Sequence, residues 1–211
     1  MKTVEWYFDF VSPFSYLQLF RLAELPDDVE IAFRPVLFAG LLGHWGHKGP
    51  AEIPPKRLFT MRHVAWLARR DAIPYTLPPA FPFNPIRALR LCIALGNWRD
   101  VVEAIFRCIW RDGLLPDDDI GWRAIAEAVG ADDADGLVAD AEVKAALIAN
   151  GERALARGIY GVPTFDARGE LFWGGDTTDF FIEFLRDPAL LEQAEFARIA
   201  ATPSSVPLPG A

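Results

Sequence analysis

The sequence predicts an α/β fold: one sheet, interrupted by a long helical insertion. Three observations carry this. A β-rich stretch, TVEWYFDFV (Thr3–Val11), is followed by a helical pattern and a second β-rich stretch, VEIAFRPVLF (Val29–Phe38). Residues 42–154 then show helical periodicity and no strand pattern. Two short strands and a helix close the chain, so the order is β-α-β, helices, β-β-α.

Each element has its own signal. Thr3–Val11 carries aromatic residues on both parities, the mark of a strand covered on both faces and central in its sheet. In SPFSYLQLFRLAEL, Ser12 fits a helix N-cap and Pro13 the first helical position. Leu17, Phe20 and Leu22 share one apolar side of that helix. The second strand ends around Pro35, and β-α-β connectivity implies a parallel pair. Within the insertion, Lys56–Ala72 places Leu58, Met61, Ala65 and Ala68 on one side of a helix. Proline-rich IPYTLPPAFPFNP (Ile73–Pro85) is a loop. IRALRLCIALG and RDVVEAIFRCIWRDG are helices stopped by Gly96 and Gly113. Asp119 is expected to cap a helix to Val129, and Asp140 or Glu142 to open one reaching Arg157, with Gly158 just past its end. VPTFDA and LFWGG are strands about an Arg-Gly turn, and Thr177–Leu185 is the last helix. The expected organisation is a discontinuous α/β domain (1–41 and 155–200), a helical subdomain (42–154) and a proline-rich tail (201–211).

Composition narrows the function classes. The chain is 52% hydrophobic, enough for a substantial core. A formal net charge of −8 argues against a general nucleic-acid or anionic-membrane binder. Cys92 and Cys108 form no C-x-x-C pair and read as small buried hydrophobes. No apolar run reaches the roughly 18 residues of a membrane span, and the N-terminal stretch lacks an apolar signal region. A soluble cytoplasmic protein is expected. His44 and His47 have no carboxylate or cysteine at ligand spacing, so no metal site is expected.

Two short stretches carry chemistry. Ser12-Pro13 alone is ordinary helix-start punctuation. GIYGVPTF (Gly158–Phe165) places Pro163 at the head of a strand. That is either a simple trans strand start or a cis turn exposing the main-chain groups of Val162 to an extended ligand.

Together with their context, these stretches resemble a known group. The carriers are DFVSPFSYL (Asp9–Leu17), RPVLFAGLL (Arg34–Leu42), GPAEIPPKRLFTM (Gly49–Met61), FPFNPIRALR (Phe81–Arg90), GVPTF (Gly161–Phe165) and LFWGGDTTDFF (Leu171–Phe181). In this order they resemble the thioredoxin-like fold of DsbA type with a helical insertion. More narrowly, they are similar to 2-hydroxychromene-2-carboxylate isomerases and the related kappa-class glutathione transferases.

The resemblance implies a glutathione-dependent isomerase of aromatic catabolism, interconverting a cyclic hemiketal and a trans-benzylidenepyruvate-like acid. It places Ser12 beside the glutathione thiol, where redox relatives carry a nucleophilic cysteine; serine forms no disulfide, so dithiol chemistry is excluded. It implies that Val162, beside Pro163, pairs with the cysteinyl part of the tripeptide. Asp176 takes the γ-glutamyl ammonium, with the N–H groups of Gly175, Asp176 and Thr177 on its carboxylate. Lys56 answers the glycyl carboxylate or steers acidic substrate. Relatives often carry Gly-Gln-Asp-Arg or Gly-Ser-Asp-Arg where this chain has Gly175-Asp176-Thr177, and asparagine near the position of His47. For substrate, a small aromatic or unsaturated acid, the candidates are Asn84, Arg87 and Phe14, with Phe38, Trp45 and Trp66 as further apolar walls.

Plainer roles stand beside these. Asp176, Thr177 and Asn84 also suit helix caps, Lys56 suits a solvated charge, and Arg87 suits equally a substrate carboxylate or an exposed helix face. Relatives commonly pair as homodimers, though no stretch of this sequence marks an interface. Two other functions fit the same pattern: a kappa-like transferase or peroxidase acting on electrophiles, and a non-catalytic thioredoxin-like binding module.

Overall fold

A computed structural model of the chain describes residues 2–203 and Ser205; the rest of the expected tail, Ser204 and 206–211, lies outside the described residues. Four strands form one sheet in the order β2-β1-β3-β4. β1 (Lys2–Phe8) runs parallel to β2 (Val29–Pro35) and antiparallel to β3 (Thr164–Ala167), which pairs antiparallel with β4 (Glu170–Trp173). β1 is therefore central. Val4, Trp6 and Phe8 enter the larger core on one face, and Tyr7 enters a second cluster with Val36, Leu41, Ala154, Ile159 and Val162 on the other. Two buried faces explain the aromatic residues on both parities.

α1 (Pro13–Arg21) and α9 (Thr178–Arg186) contribute Tyr16, Leu19, Phe181 and Phe184 to the larger core. α4 (Ile86–Ala94), α5 (Arg99–Phe106) and α6 (Asp119–Ala128) join the same core. Phe106 packs directly on the β1 end of the sheet, its ring centroid 5.7 Å from Phe8 and 4.7 Å from Phe10. Across the sheet, α2 (Phe38–Trp45) and α8 (Ala141–Ala156) bring Leu41 and Ala154 against Tyr7. α3 (Pro54–Arg70) lies against α1, and the Tyr16 hydroxyl donates to the Pro74 carbonyl in the loop that follows α3.

Several details differ from expectation. The second strand stops at Pro35, as the sequence implied, but Phe38 opens a helix, α2, that was not anticipated. α2 and α8 straddle the expected boundaries at 41/42 and 154/155. Asp118, not Asp119, caps α6: its Oδ1 accepts the Gly121 N–H at 2.7 Å. Two short helices, α7 (Ala134–Ala139) and α10 (Ala194–Ala200), were not anticipated. Asp140 caps α8 and Gly158 follows it at φ 79°, as the sequence implied. Both cysteines are buried, and desolvation pushes their thiols up, which keeps them in the unreactive protonated form. Among the described residues no helix is long and apolar enough to cross a membrane.

Candidate functional site

The site begins where β1 hands over to α1. Ser12 has extended backbone angles, and its Oγ accepts the Ser15 N–H at 3.2 Å, the geometry of an N-cap. Pro13 follows at the first helical position. Among the described residues the Ser12 hydroxyl proton has one partner, the Val162 carbonyl at a long 3.5 Å. That is at the limit of a hydrogen bond, so the hydroxyl is a donor with capacity to spare. Ser12 is also at the positive end of the α1 dipole, where negative charge is favoured. Ser15 is fully buried in the first turn, with no partner for its hydroxyl among the described residues.

The second wall is the segment before β3. The Val162–Pro163 peptide bond is cis. Thr164 Oγ1 donates to the Gly161 carbonyl at 2.7 Å, and the Pro163 carbonyl accepts the Gly174 N–H at 2.9 Å. The Val162 N–H has no partner among the described residues, so one main-chain donor remains open beside Ser12. Trp173 packs on Gly161 so closely that a Cβ there would lie 2.4 Å from the indole nitrogen. Tyr160 and Trp173, both substantially exposed, meet edge to face at 5.1 Å and flank this segment.

The third wall is the 3₁₀ turn Gly175–Thr177 that leads into α9. It packs on the first turn of α1, with Gly175 close to the Phe14 carbonyl. Asp176 is exposed, and its carboxylate makes no hydrogen bond or ion pair with the described residues. The structure thus brings Ser12, Phe14, Val162, Pro163, Gly175, Asp176 and Thr177 into one neighbourhood.

The remaining expected residues divide. Phe14 faces His63 on α3, ring centroids 6.3 Å apart, and His63 lies between Phe59 (5.8 Å) and Trp66 (6.2 Å). Phe14 also packs against the larger core, whereas Phe59 and Trp66 are exposed, so the cluster extends from beside Ser12 as an open aromatic surface. Lys56 and His47 are exposed on the α2–α3 segment, with no side-chain bond to the Ser12 neighbourhood. Asn84 is not the N-cap of α4; Pro85 holds that place. Asn84 Oδ1 accepts the Ile86 N–H at 3.0 Å, and its own N–H goes to Asp117. Arg87 pairs with Asp135 at 2.7 Å and lies 4.1 Å from the Trp122 ring, so its guanidinium is engaged within the insertion and not at Ser12. Trp45 donates to the Ile159 carbonyl at 3.0 Å, and Phe38 packs into the α2–α8 cluster; neither joins Phe14.

Three residues near the site had no role in the sequence reading: Asp9, Gln18 and His63. The Asp9 carboxyl is fully buried, accepting the N–H groups of Val11 (3.0 Å) and Phe38 (2.8 Å) and so tying the β1–α1 turn to the start of α2. Among the described residues no group of three or more His, Cys, Asp or Glu side chains is arranged to hold a metal. Two surface depressions lie outside this neighbourhood: one along α9, lined by Glu24, Asp179, Ile182, Glu183 and Arg186, and one lined by Trp98, Arg99, Asp100 and Glu103; neither is lined by Ser12, Val162 or Asp176.

A family model, the DSBA-like thioredoxin domain, matches residues 3–186. A 2-hydroxychromene-2-carboxylate isomerase of Sphingobium xenophagum is 32% identical over 201 residues, which cover 88% of this chain and 99% of the relative. The chain belongs to the 2-hydroxychromene-2-carboxylate isomerase family, within the DsbA-like thioredoxin proteins. Glutathione S-transferase kappa 1 of Homo sapiens is a further relative of this isomerase family member, 26% identical over 87% of this chain and 91% of its own. A solved structure of 2-hydroxychromene-2-carboxylate isomerase superposes with a TM-score of 0.75 at 23% identity, covering 92% of this chain and 98% of that one, and so shares the fold. In this isomerase family member a hydroxyl, that of Ser12, stands at the head of α1.

Proposed function

We propose that the protein is a glutathione-dependent isomerase of 2-hydroxychromene-2-carboxylate type, converting a cyclic aryl hemiketal acid and its open-chain trans keto acid into one another. The observation that carries this reading is the Ser12 hydroxyl: a donor with only a 3.5 Å partner, at a helix N-terminus, between an open main-chain edge and an unpaired carboxylate. The residues present fit a γ-glutamyl tripeptide. Val162 would pair its free N–H with the cysteinyl part, and Asp176 would take the ammonium group. The N–H groups at the head of the Gly175–Thr177 turn suit the adjacent carboxylate. Lys56, and His47 in the place of an asparagine, would meet the glycyl end.

When bound, glutathione supplies the sulfur nucleophile that relieves the double-bond character about which the substrate must rotate. The chain's own residues do the rest. Ser12 Oγ–H donates toward the sulfur and, with the α1 dipole, favours its ionised form. Phe14, Phe59, His63 and Trp66 offer an aromatic surface to the aryl ring, with His63 as its polar member. The reaction needs no external oxidant, and a serine at this position is consistent with that. Asn84 and Arg87, bonded elsewhere, are assigned to holding the insertion rather than the substrate.

The test is turnover of a hydroxychromene carboxylate by Ser12→Ala with added glutathione. We expect a fall of about a hundredfold, the scale of losing one aimed donor. Unchanged turnover removes Ser12 from the mechanism. The kappa-class relative favours one second reading, conjugation of glutathione to an electrophile. Free thiol counted during turnover separates the two: it stays constant in isomerisation and falls in transfer.

A further inference from the structure

The turn that carries Asp176 is held from beneath by a buried side chain. Gln18 on α1 is 1% exposed, and its Oε1 accepts the indole N–H of the fully buried Trp6 at 2.7 Å. Its Nε2 donates to the Gly174 carbonyl and to Thr178 Oγ1, both at 3.1 Å. Thr178 Oγ1 donates to the Gly175 carbonyl at 2.8 Å, and Thr177 Oγ1 to the Gly174 carbonyl at 3.0 Å. Trp6 fixes the sense of the amide. An indole N–H only donates, so it must meet the oxygen of Gln18, which leaves both amide hydrogens for the turn.

A trans peptide plane points its C=O and its N–H in opposite directions. Drawing the Gly174 and Gly175 carbonyls inward therefore aims the N–H groups of Gly175 and Asp176 outward. Neither N–H has a partner among the described residues. We infer that Gln18 is the positioning residue of this turn, aiming the Gly175 and Asp176 N–H groups together, beside the Asp176 carboxylate, at the carboxylate of an α-amino acid end group. The assignment rests on the reading that this turn takes the γ-glutamyl end of glutathione. Gln18 touches no ligand in this scheme; it acts through the two peptide planes.

The test uses the full chain, in which Gln18→Leu removes the clamp. Thr178→Val removes the tie to Gly175 while leaving the Trp6–Gln18 bond, and carries the test should Gln18→Leu not fold. The first readout is the chemical shift and hydrogen-exchange rate of the Gly175 and Asp176 amides in the free protein. The second is the glutathione dissociation constant by calorimetry. We expect both amides to move in either variant, and binding to weaken about tenfold, the scale of one lost hydrogen bond. The KM for glutathione should rise more than kcat falls, a split that general destabilisation would not produce. Unmoved amides with unchanged affinity in a folded variant overturn the inference. If the unaltered protein does not bind glutathione, the functional reading fails, and the amide signals alone then decide the role of Gln18.

Discussion

Burial pushes the pKa of the Asp9 carboxyl up to about 7 from its ordinary value of 3.8, against the pull of the main-chain N–H bonds from Val11 and Phe38. The unfolded chain loses this proton near pH 4 and the native protein only near 7, so across that window the native state binds more protons. Stability therefore falls as pH rises through the window and is level above it. Urea unfolding of the wild type and Asp9→Asn at pH 5 and pH 8 checks this. The wild type should lose stability relative to the variant on going to pH 8, and no relative change would show that the N–H bonds keep Asp9 ionised throughout. Such a role is invisible in sequence, because the second N–H comes from 29 residues away. Gln18 is the extreme case, with partners on the far side of the insertion, 156 and 160 residues on. Ser12, Pro163 and Asp176 could be picked out as candidates because short local motifs carry them, and the fold brings their segments together. Arg87 was ambiguous for the opposite reason: its ion-pair partner, Asp135, lies 48 residues on.

At the scale of elements, the turn before α9 gives the sharpest contrast. Gly174 has φ 100° and ψ 152°, a region almost closed to residues with a Cβ, and a Cβ there would also lie 2.5 Å from Asp176 Oδ1. Gly174→Ala should cost roughly 1–3 kcal/mol and turn the Asp176 carboxylate away, weakening glutathione binding. Gly175→Ala meets only an ordinary 3.7 Å contact with the Phe14 carbonyl and should leave stability nearly unchanged. Thermal unfolding and a glutathione titration of both variants decide it, and equal losses would refute the backbone argument. Among the helices, Asp118→Ala should cost about 1 kcal/mol by removing the α6 cap, whereas Asp119→Ala should not. Caps of this kind were readable to within a residue from the sequence. α2 was not, because FAGLLGHW has two glycines and no polar stripe to set a period. α7 escaped because six residues are too few to show one.

The whole molecule bears on whether the insertion is a unit of its own. Sequence order separates it from the sheet, and order alone cannot show how apolar faces are shared. In three dimensions the larger core runs without a break from Val4, Trp6 and Phe8 through Phe106 and Trp110 to Ile125 and Leu147. Trp110 fastens the join: its ring packs with Tyr75, Phe81 and Phe83, and its indole N–H donates to the Phe10 carbonyl at 2.8 Å. Neither part can open without exposing the other's aromatic face to water. The protein should therefore unfold in one transition, although at 211 residues it exceeds the roughly 150 below which that is usual. Scanning calorimetry measures this directly, as a ratio of calorimetric to van't Hoff enthalpy near one. Trp110→Ala should lower stability by about 3–5 kcal/mol and broaden or split the transition, because it opens the junction and leaves the buried Phe10 carbonyl unpaired. Two transitions already present in the wild type would mean that the insertion holds together without the sheet, and that the expected boundaries at 41/42 and 154/155 mark a real division.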